Sequence, residues 1–405
     1  MKTASVPGSL SAILLAIALG ACPVWGEDVE ETPIRNTGAS QGERAYRHAI
    51  AEIESREGAY GGGLSESLLS LARTLQAQSR HDEAITVFKR GVHLTRINEG
   101  LYCTQQVPLL QGEIASHKAM QNYTLADERQ NYLYRVQIHS MESGDLLAGA
   151  FMDQAHWQYE AYQLGLEGSQ GYTRLMDMWE LYRLAMQDVA AREGEASPKL
   201  LPPLHGMLQA QYLISSYEIQ ETHQAFGEDE RPSESLLRFK SYRAKSFQQG
   251  TAIIGAISTI EQERAAQDTT ALAQTMVMLG DWRLWNGKTE AAWEAYREAE
   301  TELASTDGAQ PQTPQLFGEP VALPDIADLN PLPPVVAPEQ ANILLAFGVS
   351  EKGRVQDLER MDDNEVDNRQ ASRLMKQLRR TKFRPRFEAG QPVETENIVK
   401  AFDIQ

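Results

Sequence analysis

Cysteine is nearly absent from this 405-residue chain: there are two, Cys22 and Cys103. A disulfide framework is therefore excluded as the source of stability. The eight histidines stand singly, without a His-x-x-x-His pair or clustered carboxylates, so no metal site is expected. No Gly-x-Ser-x-Gly elbow occurs. Gly61-Gly62-Gly63 lacks the following Lys-Ser/Thr and the preceding strand of a phosphate loop, and reads as a joint between helices. No catalytic residue and no cofactor is expected. Basic charge is also short, with a formal net charge of −18 and a pI near 5.0, which argues against nucleic acid as a partner because neutralising phosphates needs a basic surface. No apolar run approaches the length of about 20 residues that a membrane-spanning helix requires.

What is present begins with residues 1–26, expected to be a signal segment: Lys2 supplies a small positive region, and Ile13 to Leu19 an apolar stretch too short to span a bilayer. Cleavage after Val24-Trp25-Gly26 is one reading. The other starts from Leu19-Gly20-Ala21-Cys22, which resembles the lipobox of bacterial lipoproteins and makes Cys22 a candidate lipid anchor. Either route implies export. Cys103 is then left alone, and its paired reading with His93 or His117 as nucleophile and base is the enzyme alternative, against the plainer one of a small buried apolar residue.

Residues 44–306 are rich in Ala, Leu, Glu, Gln and Arg, with apolar positions at helical spacing. Leu68, Leu71, Ala72 and Leu75 line one helix, and His81-Asp82-Glu83-Ala84 opens a second carrying Phe88 and Gly91. A second copy runs from Met276 to Leu303, with Leu279-Gly280 at the large/small pair, Gly287 at the turn, and Ala292, Tyr296 and Ala299 on the return helix. These offsets are similar to those of tetratricopeptide repeats, which implies an α-solenoid of helical hairpins. Between the copies, Trp157, Tyr159 and Tyr162, then Trp179, Tyr182 and Ala185, and the stretches Leu204 to Ile219 and Phe247 to Ile260, read as further helices with aromatic core stripes.

The composition changes at residues 307–340, where Pro311, Pro314, Pro320, Pro324, Pro331, Pro333, Pro334 and Pro338 crowd together. Such density favours extended polyproline geometry, so this stretch is expected to be a linker holding a C-terminal head away from the helical body, with Pro333-Pro334-Val335-Val336 as a segment able to pack on the head's edge. Residues 341–405 form that head. Ile343, Leu345, Phe347 and Val349 alternate as a strand, Ser350-Glu351-Lys352-Gly353 turns the chain, and Val355 and Leu358 mark a second strand. Asp367 caps a helix with Ala371, Leu374, Met375 and Leu378 on one face, Pro385 stops it, and Val393 to Ile404 read as a final strand. The fold class expected is multidomain: an α-solenoid plus a small α+β domain of β-β-α-β order. Charge follows this division, with 12 acids and 12 bases from Glu339 onward, so the acidity sits in the helical body.

The strings GRVQDLER, RRTKFRPRFEAGQPV and the terminal FDI, taken with this order, resemble the C-terminal domain of TonB-type energy transducers. That resemblance implies a periplasmic domain that binds extended peptide segments of outer-membrane proteins along its last strand. On that basis Glu394, Glu396, Ile398, Val399 and Lys400 are candidate partner-binding residues, with Arg384 and Arg386 nearby to attract acidic residues. Partners expected are other envelope proteins, with homodimerisation through the head left open. The function expected is a non-enzymatic periplasmic adaptor; a component of TonB-type transport is the alternative.

Overall fold

A computed structural model describes residues 35–219, 233–264, 269–305, 316–326, 329–362 and 368–404. The expected signal segment, Cys22 and Asp367 lie outside the described residues, as does part of the expected linker.

Eleven described helices come first, each packed against the next: α1 (Arg35–Glu57), α2 (Leu64–Ala77), α3 (His81–Glu99), α4 (Val107–Ala119), α5 (Tyr123–Ser140), α6 (Asp145–Gln163), α7 (Tyr172–Glu193), α8 (Leu201–Ser216), α9 (Glu234–Arg264), α10 (Thr269–Trp285) and α11 (Thr289–Ser305). Helix α2 shows why. Leu64, Leu68, Leu71, Ala72 and Leu75 recur every three or four residues and are all buried, forming one apolar stripe. Charges at Asp82 and Glu83 in the first turn of α3 complement its dipole.

Close approach between helices is achieved in the same way at three places. The ring of Phe88 on α3 lies over Gly112 of α4, that of Tyr182 on α7 over Gly206 of α8, and that of Tyr296 on α11 over Gly280 of α10. A Cβ at these glycines would lie 2.3, 2.4 and 2.2 Å from the ring, so no larger residue fits without moving a helix. This small-against-large packing of successive helices is similar to that of tetratricopeptide repeats, and the helical body is a stack of helices each packed on the next. Gly280→Ala should therefore destabilise by about 1–3 kcal/mol, read from a denaturant midpoint, because a fully buried Tyr296 has nowhere to go.

Two cores run through the body. One, built on Leu68, Leu75, Phe88 and Leu110, serves α1 to α6; the other, built on Tyr172, Leu208, Tyr212, Ile254 and Trp282, serves α6 to α10.

The C-terminal region contains β1 (Val321–Leu323), β2 (Ile343–Val349), β3 (Val355–Arg360), α12 (Asn368–Arg380), β4 (Lys382–Arg384), β5 (Arg386–Glu388), β6 (Gln391–Val393) and β7 (Thr395–Phe402). Strand β2 is central, with β3 and β7 antiparallel on its two sides. Its inward residues Ile343, Leu345, Phe347 and Val349 pack against Ala371, Leu374 and Leu378, the buried stripe of α12. The stretch expected as one strand from Val393 to Ile404 is divided. Gln391–Val393 belong to a hairpin with β5, turned by Ala389 and Gly390 at φ of 50° and 78°, and the sheet strand itself begins at Thr395.

The expected free spacer is corrected at residues 316–326, while Val335–Val336 pack on the head's edge as the sequence allows. Val321–Leu323 pair antiparallel with Lys382–Arg384, and Phe317 and Leu323 are completely buried among Ala292, Trp293, Tyr296 and Phe387. Further on, the backbone N–H of Val336 donates to the carbonyl of Ala401. Proline is compatible with extended edge pairing, and the apolar residues between the prolines decide where the segment lies. Counting prolines alone conceals those residues. The head and the last helical hairpin consequently share a core.

Candidate functional site

Arg384 was expected at the surface, and the structure overturns this. Its side chain is 2% exposed. One guanidinium nitrogen donates to Asp281 Oδ2 at 2.8 Å and another to Asp325 Oδ2 at 2.9 Å, while the Tyr296 hydroxyl donates to Asp281 Oδ1 at 2.7 Å. Arg384 thus ties β4 to α10 across the junction. It is unavailable to a peptide from outside. Two more contacts strengthen the junction: the backbone N–H of Gly390 donates to Glu300 at 2.9 Å, and Lys382 Nζ reaches the Trp285 carbonyl.

Burial pushes the Asp281 carboxyl up to about 6; the Arg384 charge and the Tyr296 hydroxyl pull against this, and Asp325 adds to the rise. Since the folded protein holds this proton more tightly than the unfolded chain, with its ordinary value of 3.8, the contribution to stability is fully present below about pH 4 and lost as pH climbs through about 6. Denaturant midpoints measured at intervals from pH 4 to 7 should fall more steeply with pH in the natural protein than in Asp281→Asn.

The remaining candidates lie on or beside β7, an edge of the three-stranded sheet. Ala401 turns its carbonyl outward to Val336, so strand alternation points the N–H and C=O of Val399 outward too. Val399 is also 54% exposed. Ile398 instead packs against the head's core. Between the pairs Phe347↔Ile398 and Val349↔Thr395 the register shifts, placing Glu396 and Asn397 opposite Gly348 as a bulge, with Asn397 at φ 54°. Both bulge residues are exposed. Glu394 accepts from the Gln356 side chain, Lys400 lies 3.8 Å from Glu319, and Arg386, 39% exposed, pairs with Glu388 at 3.2 Å. The geometry therefore brings Glu396, Val399 and Lys400 together along a strand edge whose far end is covered by Val335–Val336.

The helical body offers grooves as well. A cavity of about 310 Å³ opens between α4, α5 and α6, lined by Lys118, Gln130, Asp153, His156, Trp157 and Glu160. Lys118 pairs with Glu160 at 2.6 Å and sits over the Trp157 ring, and burial raises the Asp153 carboxyl above its ordinary value. Cys103 is buried; its Sγ lies 3.3 Å from Gln106 Nε2 and 3.8 Å from the Thr95 carbonyl, and these are its partners among the described residues. His117 is interior to α4, 3.8 Å from a fully buried Glu113 that Arg129 binds at 2.8 Å. No group of three or more potential metal ligands occurs among the described residues.

No protein-family model matches the chain, and no curated protein matches it. Among solved structures, BtubC (BKLC) from P. vanneervenii is similar at 14% identity and a TM-score of 0.38, covering 67% of this chain and 90% of that one. A Podosopora anserina putative kinesin light chain with nearly identical TPR-like repeats is similar at 14% identity and a TM-score of 0.38, covering 60% of this chain and 96% of that one. At these scores the overall superposition is loose.

Proposed function

We propose that this chain is a non-enzymatic periplasmic adaptor in which a tetratricopeptide-type scaffold carries a TonB-like head that binds extended peptide segments of envelope proteins. The observation that carries this reading is the open edge of β7 around Val399, with outward backbone groups and no covering strand among the described residues. An edge of this kind accepts a peptide as an added strand, main-chain hydrogen bonds supplying affinity and side-chain alternation supplying selectivity. The bulge at Glu396–Asn397 and the charge of Lys400 discourage indiscriminate pairing. Export through residues 1–26, with Cys22 either removed or lipidated, belongs to the same proposal, and so does the β-β-α-β assignment of the head to the TonB type.

The test is retrieval of partners by the full chain from an envelope extract. Val399→Pro removes an outward donor without touching the ladder to β2, so the head should stay folded by circular dichroism while partner recovery drops at least about tenfold. Undiminished recovery by a folded Val399→Pro protein would reject the edge as the binding site.

A further inference from the structure

Helix α12 has two sides. One is buried on the sheet; the other carries Arg373, Lys376 and Arg380, which follow each other by three and four residues and so form a single row. All three are exposed, and none is in an ion pair with another described residue. They border a cavity of about 440 Å³ whose other walls are Trp285, Leu323, Pro331, Gln377 and Thr381. No acidic residue lines it. The floor is held in place, because Leu323 is fully buried in β1 and Lys382 sits over the Trp285 ring at 5.6 Å.

We propose that this groove binds an acidic, extended peptide segment of a partner protein, at a second site separate from the β7 edge. Charge complementarity points to the acid: three unpaired cations lie in one row on a chain whose net charge is −18. The spacing points to an extended peptide. At about 1.5 Å per helical residue the row spans roughly 10 Å, while carboxylates on alternate residues of a strand recur every 6.5–7 Å or so, so three or four residues of peptide match the row. The half-buried Trp285 and Pro331 give the intervening side chains an apolar surface to cover, which a flat lipid surface would leave unused.

The test uses the full chain and a fluorescein-labelled peptide of alternating glutamate and valine, with its glutamine counterpart as control, followed by anisotropy. The acidic probe should bind and the glutamine one should bind at least about tenfold more weakly; combined Arg373→Glu, Lys376→Glu and Arg380→Glu should abolish the difference, and raising salt from about 0.05 to about 0.5 M should weaken it strongly. Val399→Pro should leave probe binding unchanged. Equal binding of both probes, salt-independent binding, unchanged binding after charge reversal, or loss through Val399→Pro would each overturn the proposal. So would binding to phosphatidylglycerol vesicles without binding to the acidic probe. If the triple variant loses its circular dichroism, single Arg373→Gln and Lys376→Gln variants and the salt series on the natural protein decide.

Discussion

Arg384→Met is expected to destabilise the junction between the head and the last helical hairpin by about 3–5 kcal/mol at pH 7, because it strands the buried Asp281 carboxylate. Both groups are buried, with side chains 2% and 6% exposed, so solvent does not screen the loss of either partner. Asp325, by contrast, is half exposed and compensates little. The magnitude comes from stranding one charge. Removing both charges should thus cost less than the sum: Asp281→Asn combined with Arg384→Met keeps an acceptor for the Tyr296 hydroxyl and should recover roughly 1–3 kcal/mol in a double-mutant cycle of denaturant midpoints. Strict additivity would mean that the two residues are not coupled across the junction.

The second large effect is expected from Trp282→Ala, at about 3–5 kcal/mol. Trp282 is completely buried where α8, α9 and α10 meet. Its indole N–H donates to the Phe247 carbonyl at 3.0 Å, its ring meets Tyr212 edge-on at 4.8 Å, and Gly250 makes room for it, since a Cβ there would lie 2.4 Å from the indole. Truncation opens a cavity between three helices that are held apart by other contacts and cannot all close on it. Trp282→Phe fills part of that space and should lose less. Thermal unfolding of the full chain measures both, and a loss for Trp282→Ala under about 1 kcal/mol would show that the site collapses freely.

The sequence shows some of this directly. Leu68 to Leu75 and the Leu279-Gly280 pair stand out because helix packing demands large and small residues at fixed local offsets. Ile343 to Val349 stands out because a half-buried strand alternates. What stays hidden is long-range. Asp281 and Arg384 are 103 residues apart, and nothing near either one announces the other, so an arginine in a basic run reads as surface charge. The same holds for Phe317 and Leu323, which look like residues of a proline-rich spacer until the pocket formed by Trp293, Tyr296 and Phe387 is seen. For the β7 site, alternation alone leaves open whether Ile398 or Val399 turns its N–H outward. The contact between Val336 and Ala401 decides for Val399.

The most direct measurement is amide hydrogen exchange on the free full-length protein, resolved to single residues. If the head is seated on the last hairpin and offers an open strand edge, the amides paired between Val321–Leu323 and Lys382–Arg384 exchange as slowly as those in the middle of α10, and Val399 exchanges fast while Lys400, paired with Leu345, is protected. Rapid exchange throughout residues 316–326 would contradict the seated head, and a protected Val399 would contradict the open edge.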